Sequence, residues 1–100
     1  MPRSFIIDTD TASDDAVALL MALRHPDVRV EAITVVAGNV ELQQGLRNAL
    51  YAVELSGADV PVYAGSAAPL VRDLVVAQFF HGRDGLGDQG YPPPVSQPAE

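Results

Sequence analysis

Short apolar segments alternate with helical ones over residues 1–64, and this alternation limits the chain to few folds. Residues 4–7 are apolar, β-branched at their end and followed by an acid, which predicts a buried strand. Residues 30–37 and 60–64 predict two further strands. Short connections that join strand, helix and strand are typical of parallel sheets with crossover helices. The sequence therefore predicts the α/β class, with a doubly wound, mostly parallel sheet flanked by helices.

The two helical segments differ in how their apolar residues are arranged. Residues 16–23, AVALLMAL, are apolar nearly all round, which predicts a buried helix that ends at His25-Pro26. Residues 41–55 carry apolar side chains at helical spacing, and Gly57 supplies a C-terminal stop.

The pattern weakens after the third strand. Residues 70–80 fit either a helix or a strand, and residues 81–94 predict a long glycine-rich loop. Loops of that length are usually functional or disordered. We expect residues 1–91 to be the N-terminal part of a single α/β domain, and the proline-rich residues 92–100 to lead to a remainder outside this chain.

Composition excludes several classes of function. The net charge of −7 argues against binding to nucleic acid or to an anionic membrane, because both need basic patches. The chain has no Cys, so disulfides and thiolate metal sites are excluded. No segment reaches the roughly 18 apolar residues of a membrane span, and the N-terminus does not have the pattern of a signal peptide. We expect a soluble cytoplasmic protein.

A cluster of acids follows the first strand. The sequence DTDTASDD places the carboxylates of Asp8, Asp10, Asp14 and Asp15 within eight residues. Asp8 and Asp10 lie two apart, so on an extended backbone they point the same way. Ligands bind outside the carboxyl ends of strands in open parallel sheets, which is where this turn is predicted to lie.

The clustered charges need a partner. Two carboxylates about 4 Å apart repel by roughly 4 kcal/mol at an effective dielectric constant of about 20. The chain has no Lys, and no Arg is close to the turn in sequence. A divalent cation is the simplest partner, and oxygen ligands without His or Cys suit Ca²⁺ or Mg²⁺ better than Zn²⁺.

A purely structural interpretation explains part of this cluster. Ser13 could cap the first helix, with Asp14 and Asp15 in the turn where the helix dipole favours negative charge. That interpretation does not explain Asp8 and Asp10 at the end of a strand.

Two other acidic motifs can be compared with the turn. An EF-hand loop would need an oxygen ligand at Ala12, Gly at Ser13 and Glu at Leu19, and all three positions fail. The segment FIIDTDT fits the aspartyl phosphatase pattern until Ala12, where Thr or Val is expected. A phosphatase with Asp8 as nucleophile and Asp10 as acid-base therefore stays open as an alternative.

Four ordered blocks carry a family resemblance. IIDTDTASDDAVALLMAL resembles the opening of the inosine-uridine nucleoside hydrolase family, whose usual form is DTDPGxDDAxAL. The segments ITVVAGNV, VPVYAGSAAPL and HGRDGLGD agree with that family in order and spacing, so the resemblance spans nearly the whole chain. One departure is that Thr11-Ala12 stand where the commoner form has Pro-Gly. Both replacements are small, and we expect a changed turn with the site kept.

The resemblance implies an enzyme that hydrolyses the N-glycosidic bond of ribonucleosides to ribose and free base. Asp10 and Asp15 would coordinate Ca²⁺, and Asp10 would also act as general base toward a Ca²⁺-bound water. Asp14 would bind the ribose hydroxyls, and Asp8 would orient its neighbours behind the metal ligands. The other metal ligands and the groups that handle the leaving base are expected further along the chain.

The resemblance also implies roles for two loop residues. Asn39 follows the second strand and would position water or ribose, although Asn is also common in turns. His81 would line the base pocket, or serve as an ordinary loop residue. Family members are usually homodimers or homotetramers acting in purine and pyrimidine salvage. A non-catalytic, truncated member that binds metal or a partner without turnover is a further alternative.

Overall fold

The computed structural model describes residues 3–71, 73–77 and 81–99. Its regular elements follow the predicted order, and their bounds are β1 Arg3–Thr9, α1 Ser13–Arg24, β2 Val28–Val35, α2 Leu42–Ser56 and β3 Val62–Ala64. Neither of the helices in this part of the chain is long and apolar enough to cross a membrane.

The three strands form one parallel sheet in the order β1-β2-β3. Thr9, the last residue of β1, pairs with Val35, the last residue of β2, and Val35 in turn pairs with Ala64 of β3. The predicted α/β class is confirmed. Because all strands end at the same edge, the loops that follow β1 and β2 lie side by side.

The two helices pack against each other and both contact β2, so they cover one face of the sheet. The apolar positions predicted for α2 point into this layer, and Gly57 ends the helix in the left-handed region at φ 77°. The buried core lies between α2 and the central strand and consists of Leu19, Ile33, Val35, Leu46, Ala49, Leu50, Ala52, Val53 and Val62.

The first strand and the first helix are more exposed than the sequence predicts. In β1, Phe5 is 43% and Ile6 70% exposed, and in α1 Val17 is 58% and Met21 69% exposed. Leu19 is the buried residue of α1. The predictions of a buried strand and a buried helix are therefore wrong for the described chain. The strand order puts β1 at the edge of the described sheet, and α1 contacts β2 and α2 while its side with Val17 and Met21 stays uncovered.

The chain after β3 is irregular. Residues 65–71 and 73–77 form neither helix nor strand, so neither alternative for residues 70–80 is found there. Position 72 and residues 78–80 lie outside the described residues. The predicted glycine-rich loop is confirmed, and two acids brace it. The backbone N–H of Asp88 donates to Asp84 Oδ1 at 3.0 Å, and the Asp84 N–H donates to Asp88 Oδ1 at 3.1 Å.

The proline-rich segment lies along α2. The Glu54 carboxylate accepts hydrogen bonds from the backbone N–H groups of Val95 and Ser96 and from the Ser96 hydroxyl, the last at 2.6 Å. Further on, Ala99 forms a single parallel bridge with Tyr63 of β3.

Candidate active site

Asp10 lies just beyond β1, against the loop that follows β2. Its Oδ2 accepts a hydrogen bond from the backbone N–H of Asn39 at 3.0 Å. The close approach requires Gly38, since a Cβ there would lie 2.6 Å from the Asp10 Cβ. The structure thus brings Asp10 and Asn39 together, as the parallel strands predict. The contact uses the backbone of Asn39, which the sequence could not indicate.

Asp15 lies in the first turn of α1 and is half-buried. Its Oδ2 accepts a hydrogen bond from the Thr9 hydroxyl at 2.6 Å. Burial is the main cause that raises the pKa of the Asp15 carboxyl; the Thr9 hydrogen bond opposes it, while a hydrogen bond with Asp10 and the charges of Asp10 and Asp14 add to it. The Asp10 and Asp15 carboxyl groups therefore lie close to each other in the turn.

The other two acids of the cluster lie at its margins. Asp14 is exposed beside Asp15 in the first turn of α1. Asp8 is also exposed, and its Oδ1 accepts a hydrogen bond from the Thr34 hydroxyl of β2 at 2.6 Å. A cavity of about 110 Å³ between β1 and α1 is lined by Asp8, Thr9 and Asp15 among others. Asp8 thus reaches the same recess as Asp15, at the edge of the sheet.

His81 lies over the start of α1. Its Nδ1 is 2.9 Å from the Ser13 hydroxyl, a hydrogen bond between residues 68 apart in sequence. The predicted N-cap at Ser13 is wrong: Ala12 is the capping residue and Ser13 is the first residue of the helix. Because its hydroxyl bonds to His81, Ser13 connects the predicted base-pocket residue to the acidic turn.

Asn48 joins the acidic turn to the glycine-rich loop. This buried α2 residue donates through Nδ2 to the backbone oxygen of Thr11 at 3.0 Å and to that of Asp84 at 2.7 Å. Its Oδ1 accepts from Gln44 at 2.9 Å. A Cβ on Gly85, where φ is 78°, would lie 3.2 Å from the same Nδ2. The role of Asn48 was not predicted from the sequence. The one indication in the sequence is that Asn48 is a polar residue on a helical face that is otherwise apolar.

The donor chemistry of the turn fits a hard cation in part. Asp10 and Asp15 offer two neighbouring carboxylates, and a positive charge between them would offset their mutual repulsion. Over the described ranges, no three His, Cys, Asp or Glu side chains come close enough to hold a metal ion by themselves. The described residues therefore supply a portion of a shell that would need about 6–8 oxygen ligands for Ca²⁺.

Comparison with known proteins gives one consistent result. The model of the family described as inosine-uridine preferring nucleoside hydrolase matches residues 5–100. Uridine nucleosidase 1 of Arabidopsis thaliana is 46% identical over 98% of this chain and 30% of its own length. The inosine-uridine preferring nucleoside hydrolase of Leishmania major is 43% identical over 93% of this chain and 30% of its own.

Solved structures agree with the sequence matches. A purine-preferring ribonucleoside hydrolase from Gardnerella vaginalis superimposes with a TM-score of 0.90 at 35% identity, covering 98% of this chain and 33% of that one. The chain spans about a third of the length of the curated relatives it matches. The aspartyl phosphatase alternative is not favoured by these matches.

Proposed function

The chain belongs to the inosine-uridine preferring nucleoside hydrolase family, and on that premise we propose that the protein hydrolyses the N-glycosidic bond of ribonucleosides to ribose and free base. The observation that carries the proposal is that the carboxyl groups of Asp10 and Asp15 lie close together in the turn after β1, at the carboxyl edge of a parallel sheet. The backbone N–H of Asn39, in the loop that follows β2, donates a hydrogen bond to one oxygen of that pair.

Asp10 and Asp15 would hold Ca²⁺, with the remaining oxygen ligands supplied by other parts of the protein and by the substrate. When bound, the ion supplies positive charge that acidifies a water ligand and orients the ribose hydroxyls. This assignment is supported by the oxygen-only donor set of the turn. It is also supported by the repulsion between the two carboxylates, which a bound cation would offset.

Asp10 is the residue we assign as general base. Water adds to the C1′ carbon of the ribose while the bond from C1′ to the base nitrogen breaks, and the base leaves with that electron pair and takes up one proton to become the free base. Asp10 takes the proton that the water loses. The hydrogen bond from the Asn39 N–H holds Oδ2 of Asp10 in place, so the carboxylate does not need to reorganise during the step.

The neighbouring residues would act on the substrate and on the turn. Asp14, exposed beside Asp15, would accept hydrogen bonds from ribose hydroxyls. His81, bonded to Ser13 at the rim of the turn, would contact the base. Asn39 would position water or ribose through its side chain. Asp8, bonded to Thr34 and bordering the cavity beside Asp15, would help to orient the metal ligands.

The biological setting follows from the same family. We propose a role in purine and pyrimidine salvage, in the cytoplasm, by a homodimer or homotetramer. The acidic net charge of −7 supports a small-molecule substrate over nucleic acid or membrane partners.

The proposal is tested by measuring free base and reducing sugar released from inosine and uridine by the protein as encoded, with Ca²⁺ or with a chelator. Asp10→Asn should lower kcat by about 10² or more while changing KM little, because a general base acts mainly on the chemical step. Asp59→Asn, in an exposed loop before β3, is the matched control and should leave turnover unchanged. Failure of the folded wild-type protein to release base from either nucleoside would contradict the proposal.

A further inference from the structure

Two buried threonine hydroxyls stand behind Asp15. Thr9 is 6% exposed at the end of β1, and Thr11 is 0% exposed in the turn. The Thr9 Oγ1 lies 2.6 Å from Asp15 Oδ2 and 3.3 Å from the Thr11 Oγ1. The three side chains therefore form a continuous row from the interior of the turn to the carboxylate.

The direction of this row follows from hydrogen counting. A hydroxyl has one hydrogen to donate, and an ionised carboxylate can only accept. The short contact with Asp15 uses the hydrogen of Thr9. In the contact between the two threonines, Thr9 must then accept and Thr11 must donate. The hydrogen bonds run from Thr11 to Thr9 to Asp15.

The inner end of the row is fixed in the core. The backbone oxygen of Thr11 accepts a hydrogen bond from Asn48 Nδ2 at 3.0 Å. Thr11 also stands at the position where the commoner family motif has Pro, a residue without a hydroxyl. This chain thus has a buried donor that the commoner turn does not provide.

We propose that Thr11 and Thr9 are positioning residues that orient the Asp15 carboxylate for cation binding, with Thr11 acting through Thr9. The inference rests on the proposed function, since it assigns Asp15 to a Ca²⁺ shell. By holding Oδ2, Thr9 limits rotation of the Asp15 carboxylate away from Asp10, whose like charge repels it.

The test compares isosteric variants of the protein as encoded, with Ca²⁺ affinity measured by titration calorimetry. Thr9→Val replaces the hydroxyl by a methyl group and should weaken Ca²⁺ binding about 10- to 100-fold, as loss of a group that orients a metal ligand usually does. Thr11→Val should weaken it by roughly 3- to 10-fold, the effect of one lost neutral hydrogen bond. Thr11→Ser retains the hydroxyl and should bind Ca²⁺ like the wild type.

The double variant separates positioning from general loss of stability. Because Thr11 acts through Thr9, adding Thr11→Val to Thr9→Val should change the Ca²⁺ affinity little further. Two fully additive effects would overturn the serial arrangement. Ser56→Ala, which removes a partly buried hydroxyl at the far end of α2, is the control and should leave Ca²⁺ affinity unchanged. If Thr11→Val does not fold, Thr11→Ala against Thr11→Ser makes the same comparison.

The outcomes also separate this inference from the proposed function. If the wild type binds Ca²⁺ and the Thr11→Val variant binds it with the same affinity, the role of Thr11 is overturned while the proposed function stands. A folded wild-type protein that binds no Ca²⁺ would overturn both proposals.

Discussion

Replacement of Gly38 by Ala should displace Asp10. A Cβ at Gly38 would lie 2.6 Å from the Asp10 Cβ and 2.8 Å from the Asp10 Cγ. Carbon atoms pack best at about 3.5–4.0 Å, so one of the two residues must move by about 1 Å. The Asp10 side chain cannot move freely, because its Oδ2 accepts a hydrogen bond from the backbone N–H of Asn39, the residue that follows Gly38. The φ of Gly38 is outside the left-handed region, so other residues could adopt this backbone conformation. Glycine is needed here because a side chain would not fit beside Asp10.

The expected cost has two parts, which two assays measure separately. Overpacking should lower the free energy of unfolding by about 1–3 kcal/mol, measured by urea denaturation. A displacement of about 1 Å should lower kcat for ribonucleoside hydrolysis by on the order of 10², measured by release of free base.

Gly57→Ala supplies the matched control. At Gly57 a Cβ would meet no atom within 4 Å, but φ is 77°. Left-handed strain of about 1–2 kcal/mol should therefore lower stability to a similar degree without affecting kcat. Wild-type kcat in a folded Gly38→Ala variant would refute the packing of Asp10 against this glycine.

Three further predictions follow from contacts in the structure. Asn48→Ala removes the buried donors to two backbone oxygens and should lower the free energy of unfolding in urea by roughly 2–3 kcal/mol, so a loss near zero would contradict the role of Asn48. Asp14→Ala should raise KM for ribonucleosides by on the order of tenfold, the loss of a charged hydrogen bond, and an unchanged KM would move ribose recognition elsewhere. Hydrogen bonds from the Ser96 side chain and from the backbone N–H groups of Ser96 and Val95 lower the pKa of Glu54, so this attachment is complete above the ordinary Glu pKa of 4.5 and is lost as pH falls through the lowered value. NMR titration should show the two amide signals moving together with Glu54, and independent titration would contradict the attachment.

The order and type of the elements could be predicted because they depend on local patterns. The helical spacing of apolar residues and the stop at Gly57 define α2, and both agree with the structure. The burial of β1 and α1 could not be predicted, since hydropathy shows which residues are apolar but does not give the strand order. That order puts β1 at the edge of the described sheet, where Ile6 is 70% exposed.

The acidic turn could be found from sequence, but its supporting contacts could not. Four acids within eight residues are visible in the sequence, and the parallel strands predict that Asp10 meets the loop after β2. The hydrogen bond of Ser13 with His81 joins residues 68 apart, and local capping preferences gave Ser13 a different role. Asn48 donates hydrogen bonds to residues 37 and 36 positions away, in two different loops. Local sequence patterns do not predict contacts of this kind.

The most direct test of the central claim is a crystal structure of the protein as encoded, grown with Ca²⁺ and examined by anomalous diffraction. One ion should lie within about 2.3–2.6 Å of carboxylate oxygens from both Asp10 and Asp15. An ordered turn in which these two side chains point apart, with no ion between them at saturating Ca²⁺, would contradict the metal site and the catalytic role built on it.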